Sequence, residues 1–293
     1  MKLALIGTGL LGGSTAAAWR RAGAASAVAG YDVDPSQSRR GVELGVLDRA
    51  AASVADAVRG ADCVVLAVPV GQMAPVLAEV AGVLTDSALV TDVGSTKADV
   101  IAAARRALGR GFRRFVPAHP IAGGELPGIE HADPQLFAGR NVITTPADDT
   151  DLKALQRIES AWTACGARVE RMTANEHDRV FAAVSHLPHL LAFALVAQVA
   201  SQPDGARRLE LAGTGFRDFT RIAASSPALW RDIALANRAA LGTELRTYRG
   251  WLERLQTALD TADGPSLSRV FEPASRTRRA LVLRPDGEPS GGE

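Results

Sequence analysis

Up to about residue 172 the chain alternates short apolar runs with longer segments of helical period. Leu3 to Ile6, Ala27 to Asp32, Cys63 to Val68, Ala88 to Asp92 and Phe115 to Ala118 read as strands. Asn141 to Thr145 and Arg168 to Met172 continue the series. Between them, Leu10 to Ala22, Pro35 to Leu44, Thr96 to Leu108 and a segment from about Asp149 to Cys165 read as helices, with Gly45 as a stop signal. Cys63 to Val68, which ends at Pro69, is continuously apolar rather than alternating. Such a strand is buried on both faces, as in a parallel sheet. This order predicts an α/β fold, a doubly wound and mostly parallel sheet.

After Thr173 the strand pattern stops, and Ala174 to Leu259 is almost entirely helix-forming, with a turn at Pro203-Asp204-Gly205. The reading is therefore a nucleotide-type domain over 1–172 and an all-α domain over 173–272. From Pro273 to residue 293 the chain is poor in apolar residues and is expected to be unstructured.

Composition narrows the function classes. The chain has 293 residues, 47% hydrophobic and 22% charged, with a net charge of +1, ample for two cores. That balance offers no electrostatic case for nucleic acid or an anionic membrane as partner. Cys63 and Cys165 have no metal-ligand spacing and read as buried thiols; no metal is expected. The opening MKLALIGTG is broken by Gly7 before it could serve as a signal peptide. Leu187 to Val199 is apolar but too short to span a bilayer, so a cytoplasmic location is expected.

Gly7-Thr8-Gly9-Leu10-Leu11-Gly12 fits G-x-G-x-x-G after a strand and at the start of a helix. Gly7 permits the turn, Gly9 lets a pyrophosphate approach, and Gly12 allows the helix to pack on the strand. The helix N-terminus supplies unpaired N–H groups for phosphate. Asp32, twenty residues beyond Gly12, is placed to accept from ribose hydroxyls. It favours NAD, although Arg39 and Arg40 downstream leave NADP open. Val68 and Pro69 end a strand and should line the cofactor cleft, and Ser95 lies beyond the next strand, as a site residue or a simple helix cap.

His119-Pro120-Ile121-Ala122-Gly123-Gly124-Glu125 is expected in a loop beyond the strand Phe115 to Ala118, with His119 facing the same cleft. A neutral imidazole there could take a hydroxyl proton near neutral pH. Ser185-His186-Leu187-Pro188-His189 opens a long apolar helix, and Gly215-Phe216-Arg217-Asp218-Phe219-Thr220-Arg221 and Trp230 follow in the helical half.

Together GTGLLGGS, DVGSTK, HPIAG, SHLPH and GFRDFTRIAASSPALWRDI resemble the prephenate and arogenate dehydrogenases of tyrosine biosynthesis, over roughly residues 1 to 260. The resemblance implies a Rossmann domain followed by a helical domain that forms a homodimer. It implies oxidative decarboxylation of prephenate to 4-hydroxyphenylpyruvate, or of arogenate to tyrosine. It also implies roles: His119 as the hydroxyl's base, Ser95 beside it, and Arg221 as the carboxylate partner. Ser185 and His189 would contact substrate or nicotinamide, Glu125 and Asp218 would orient His119 and Arg221, and Trp230 would lie near the site, supplied across the dimer or standing in the helical core. Gly124 stands where some relatives carry a hydroxyl residue, which leaves prephenate or arogenate open. No effector domain or mutase segment is expected on the chain. The β-hydroxyacid dehydrogenases are a weaker match, because they rely on a helical lysine and this helical half has almost none. A non-catalytic NAD sensor would have no use for His119 together with Arg221.

Overall fold

A computed structural model describes residues 1–124 and 126–282. The first domain is built on a six-stranded parallel sheet of β1 (Lys2–Ile6), β2 (Ala27–Tyr31), β3 (Arg49–Ala50), β4 (Cys63–Leu66), β5 (Leu89–Asp92) and β6 (Phe115–Val116). Their spatial order is β3-β2-β1-β4-β5-β6. Helices α1 (Leu10–Arg21), α2 (Pro35–Glu43), α3 (Val54–Val58), α4 (Met73–Ala81) and α5 (Ala98–Leu108) are the crossovers. Alternate residues explain the unbroken apolar runs. Leu3 and Leu5 of β1 pack into one core with Trp19, while Ala4 and Ile6 pack into the opposite core with Leu77 and Phe115.

A second, three-stranded sheet corrects the single-sheet expectation. It contains β7 (Ala118–Pro120), β8 (Asn141–Thr144) and β9 (Arg168–Arg171), with β7 antiparallel to β8 and β8 parallel to β9. The strand expected over Phe115 to Ala118 breaks at Pro117, which has no N–H to give a ladder. Residues before it pair with β5, and residues after it pair with β8. His119 therefore lies inside a strand, opposite Ile143, and not in a loop beyond one. Helix α6 (Leu152–Ala164) joins β8 to β9 and carries Trp162, whose ring meets Trp19 edge-on at 5.3 Å and Phe137 at 5.1 Å.

The second domain is helical: α7 (Ala174–Phe181), α8 (Leu187–Ala200), α9 (Gly205–Glu210), α10 (Thr214–Thr220), α11 (Pro227–Ala236), α12 (Arg238–Asp260) and α13 (Gly264–Val282). A π-helical turn, Ala182–His186, joins α7 to α8, so Ala174–Ala200 is one helix of 27 residues. That helix is long and apolar enough to cross a membrane by length and composition, so the premise that the run is too short does not hold. Its first half is nevertheless tied down by buried, hydrogen-bonded His177, Asp178 and His186.

Two further expectations are corrected. The tail is not irregular from Pro273, because α13 runs through it to Val282. Leu267, Val270 and Phe271 recur at helical spacing, and Asp263 accepts from the Ser266 N–H at 3.0 Å at the helix start. Residues 283–293 lie outside the described residues. Cys63 is buried but Cys165 only half-buried; burial pushes their pKa values up to about 12 and about 11.

Trp162 is fully buried at the meeting point of Trp19 and Phe137. Trp162→Ala should cost about 3–5 kcal/mol of unfolding free energy, the usual penalty for deleting a buried aromatic. Urea unfolding followed by circular dichroism measures it, and a loss under about 1 kcal/mol would show that this junction is not a core.

Candidate active site

The strand order reverses between β1 and β4, and at such a switch point the two crossovers diverge and leave a crevice. The glycine loop fills its floor. Gly7 has φ of +91°, and a Cβ there would lie 2.3 Å from the Ala67 carbonyl oxygen. A Cβ on Gly12 would lie 2.0 Å from the Gly7 carbonyl oxygen. Gly9, in contrast, has open space around its would-be Cβ and precedes α1 without a side-chain cap. Leu10 and Leu11 begin that helix, so its first N–H groups face the opening. Val68 and Pro69 follow β4 beside Gly7, Val68 half-buried and Pro69 exposed.

Asp32 follows β2. Its Oδ2 accepts from the buried Thr8 N–H at 2.7 Å and from the Thr8 hydroxyl at 3.3 Å, and its Oδ1 accepts from the Asp34 N–H at 3.0 Å. A carboxylate has about four acceptor positions, so capacity remains for a ribose hydroxyl. Arg40 is paired with Glu43 at 2.8 Å. The open Gly9, the bare helix start and the oriented Asp32 fit a dinucleotide.

Next to this crevice is a buried polar cluster. Lys97 and Asp92, both fully buried, form an ion pair. Lys97 Nζ also donates to the Ala118 carbonyl at 2.8 Å, and Asp92 accepts from the Ala118 N–H at 3.2 Å and the Gly94 N–H at 2.9 Å. Both polar groups of the residue preceding His119 are thus gripped by one ion pair. The His119 Nδ1 lies 2.8 Å from His177 Nε2, and His177 Nδ1 lies 2.8 Å from Asp178 Oδ1. Asp178 also accepts from the Lys97 and Ala98 N–H groups, each at 2.9 Å. It therefore caps α5 from the other domain, and Ser95, half-buried in the loop before α5, does not.

Burial, with help from the nearby His177, Lys97 and His186, holds the His119 pKa well below the ordinary histidine value. Burial lowers His177 as well, against the opposing pull of Asp178. Burial would raise Asp178, but its bonds from His177 and the Ala98 and Lys97 N–H groups prevail and lower it. At neutral pH the cluster therefore contains neutral imidazoles and an ionised carboxylate.

The helical domain gathers a second group of the expected residues. Ser185 is half-buried in the π turn, and its carbonyl accepts from His189 Nδ1 at 2.9 Å. Trp230 stacks on His189 with centroids 3.5 Å apart and meets the His186 ring edge-on. Trp230 thus packs on His189 and His186 of its own chain. Burial lowers the His189 pKa, and Arg221 is near enough to add to the effect. Arg221 lies at the start of the turn Arg221–Ala224. Asp218 is exposed on α10 and makes no hydrogen bond or ion pair among the described residues, so it is not brought onto Arg221. Glu125 lies outside the described residues.

Sequence reasoning missed His177, Asp178, Asn237 and the Asp92–Lys97 pair. Asn237 Nδ2 donates to the Asp178 carbonyl at 2.7 Å and lies 3.0 Å from His186 Nδ1. The adjacent His177-Asp178 pair, in a chain with five histidines, was an available signal. So was Lys97, one of few lysines.

Asp32→Asn should weaken NAD binding about ten- to a hundredfold, the worth of a hydrogen bond to a charged acceptor, and narrow any preference over NADP. Fluorescence titration measures both; unchanged affinity would place the ribose elsewhere.

Residues 15–171 match the family model described as prephenate dehydrogenase, nucleotide-binding domain, and residues 173–273 match prephenate dehydrogenase, dimerization domain. The chain is 36% identical to cyclohexadienyl dehydrogenase of Zymomonas mobilis, over 98% of both chains. It is 35% identical to prephenate dehydrogenase of Bacillus subtilis, over 97% of this chain and 76% of that one. The structure of Aquifex aeolicus prephenate dehydrogenase with hydroxyphenyl propionate and NAD+ superposes with a TM-score of 0.89 at 34% identity, covering 96% of this chain and 98% of that one. The chain therefore belongs to the prephenate dehydrogenase family and is an NAD-dependent oxidoreductase.

Proposed function

We propose that this enzyme converts prephenate to 4-hydroxyphenylpyruvate and carbon dioxide. The observation that carries the reading is His119, an imidazole held neutral by burial and fixed by His177 at the start of the second sheet, in a chain whose helical domain gathers His189, Trp230 and Arg221. NAD, held by the Gly7 to Gly12 loop, the start of α1, Asp32, Val68 and Pro69, supplies the hydride acceptor. His119 takes the proton from the substrate hydroxyl as C4 is oxidised, and loss of the ring carboxylate then aromatises the ring. Ser95 lies between β5 and α5, near enough in the chain to the Lys97 clamp to share the site with His119. Arg221, permanently charged and able to bind bidentately, holds a substrate carboxylate. Ser185 and His189 contact the substrate, and Trp230 closes its apolar side. Glu125 and Asp218 are assigned to orienting the charged groups once substrate is present.

A second reading, arogenate to tyrosine, is favoured by the similarity to a cyclohexadienyl dehydrogenase along almost the whole chain. We also propose a cytoplasmic homodimer joined through the helical domain. Exposed Val184, Leu235, Leu245, Trp251 and Leu259 support it as an apolar surface that a second copy would cover.

Purified protein assayed with prephenate or arogenate, and NAD or NADP, should produce reduced cofactor fastest with prephenate and NAD. No signal in any combination would refute the enzyme reading. His119→Asn should lower kcat about 10²–10⁴-fold with NAD affinity intact. Because His119 is lowered below the usual pKa of 6.5, kcat/KM should stay flat as pH falls through 6.5 and drop only at more acid pH. An acid limb centred at or above 6.5 would contradict that base. Arg221→Ala should raise the substrate KM about tenfold or more, the loss of a charge-assisted hydrogen bond. An unchanged KM would move the carboxylate to another partner.

A further inference from the structure

We propose that His177 and Asp178 are positioning residues that fix the proton of His119 on Nδ1, so that Nε2 is the nitrogen left to receive the substrate's proton. This deepens the reading of His119 as the base and rests on it.

Asp178 accepts backbone N–H groups on both oxygens, from Lys97 on Oδ1 and from Ala98 on Oδ2. A protonated carboxyl would set its own donor against these donors, so Asp178 sits there as an acceptor. His177 Nδ1, 2.8 Å from Asp178 Oδ1, must then carry a hydrogen. A neutral imidazole has one N–H, so His177 Nε2 is an acceptor. The His119 Nδ1, 2.8 Å away, must therefore donate. That leaves the His119 Nε2 lone pair without a hydrogen-bond partner among the described residues. Each tautomer along the chain is set by the hydrogen bond before it.

The surroundings keep the chain of assignments intact. His177 is fully buried, and Phe181 packs against both rings at 4.9 Å and 4.5 Å, which holds the two imidazoles in place. The charged or titratable neighbours are Lys97, His177 and His186 for His119, and Lys97, Asp178 and Asp92 for His177. Lys97 disfavours a positive charge on either ring. The arrangement resembles the logic by which a buried aspartate sets the tautomer of a catalytic histidine in serine proteases, extended by one imidazole. It also crosses between domains, since His119 lies on β7 and the relay lies on α7.

The test labels the histidines with nitrogen-15. Five histidines give few signals, and His119→Asn identifies the one of interest. In the unliganded wild-type protein near neutral pH, His119 should show a protonated Nδ1 and an unprotonated Nε2, and His177 should show the same pattern. His119 protonated on Nε2 would overturn the proposal without any reference to catalysis. Two variants then read the consequence. His177→Leu removes the acceptor, and should lower kcat about ten- to a thousandfold while substrate KM and NAD affinity stay within about twofold. His177→Gln can accept from His119 through its carbonyl and donate to Asp178 through its NH2, the same polarity as the imidazole, and should restore most of the turnover. Equal damage from Leu and Gln, or wild-type turnover in Leu, would refute the relay. If the wild-type protein turns over neither prephenate nor arogenate, the function reading fails, while the nitrogen signals still decide the tautomer.

Discussion

The buried pair of Lys97 and Asp92 is the constraint on which the site depends. Two opposite charges with no exposed surface are costly to bury, and removing one partner of such a pair costs about 3–5 kcal/mol. What this pair does beyond mutual neutralisation is to hold the backbone of Ala118 on both sides, through the Lys97 donor and the Asp92 acceptor. Ala118 is the first residue of β7, just past the proline that ends pairing with the large sheet. That grip fixes where β7, and with it His119, begins relative to β5. The N–H of the same lysine donates to Asp178, so the pair also joins the sheet to the helical domain.

The fold was readable because its main signal is local. The central strands β4 and β5 are buried on both faces, and continuous apolar runs record that directly; β1, β2, β4 and β5 begin and end close to where the pattern places them. The glycine loop was readable for a similar reason, since backbone crowding at Gly7 and Gly12 admits no side chain. The second sheet was hidden because Pro117 interrupts a run that looks like one strand, and pairing partners are set by tertiary packing rather than by propensity. The short β3 and α3 carry too few residues for periodicity to register.

The site itself was half readable. His119, Ser185, His189, Arg221 and Trp230 stand in unusual local contexts, and resemblance supplied their roles. His177 and Asp178 sit in an ordinary-looking helical turn, where a histidine followed by an aspartate usually faces solvent. Only the approach of α7 to the start of α5 converts them into buried groups. Asp218 is exposed on α10 without a hydrogen bond among the described residues, since a place in a shared motif does not require contact before a ligand arrives.

The two-domain construction has a consequence for the chemistry. The nucleotide domain presents the crevice and His119, while the helical domain presents His189, Trp230 and the carboxylate that orders the imidazoles. Neither domain has both His119 and the residues that hold its ring. Asp178 satisfies the first N–H groups of α5 only when the domains are docked, and its charge is compensated there by the helix start and by hydrogen bonds. Separation would leave a carboxylate and two backbone donors to water and part His177 from His119. Docking and the protonation pattern of His119 are therefore one equilibrium: the same hydrogen bonds that hold the domains together set which nitrogen of His119 can take a proton.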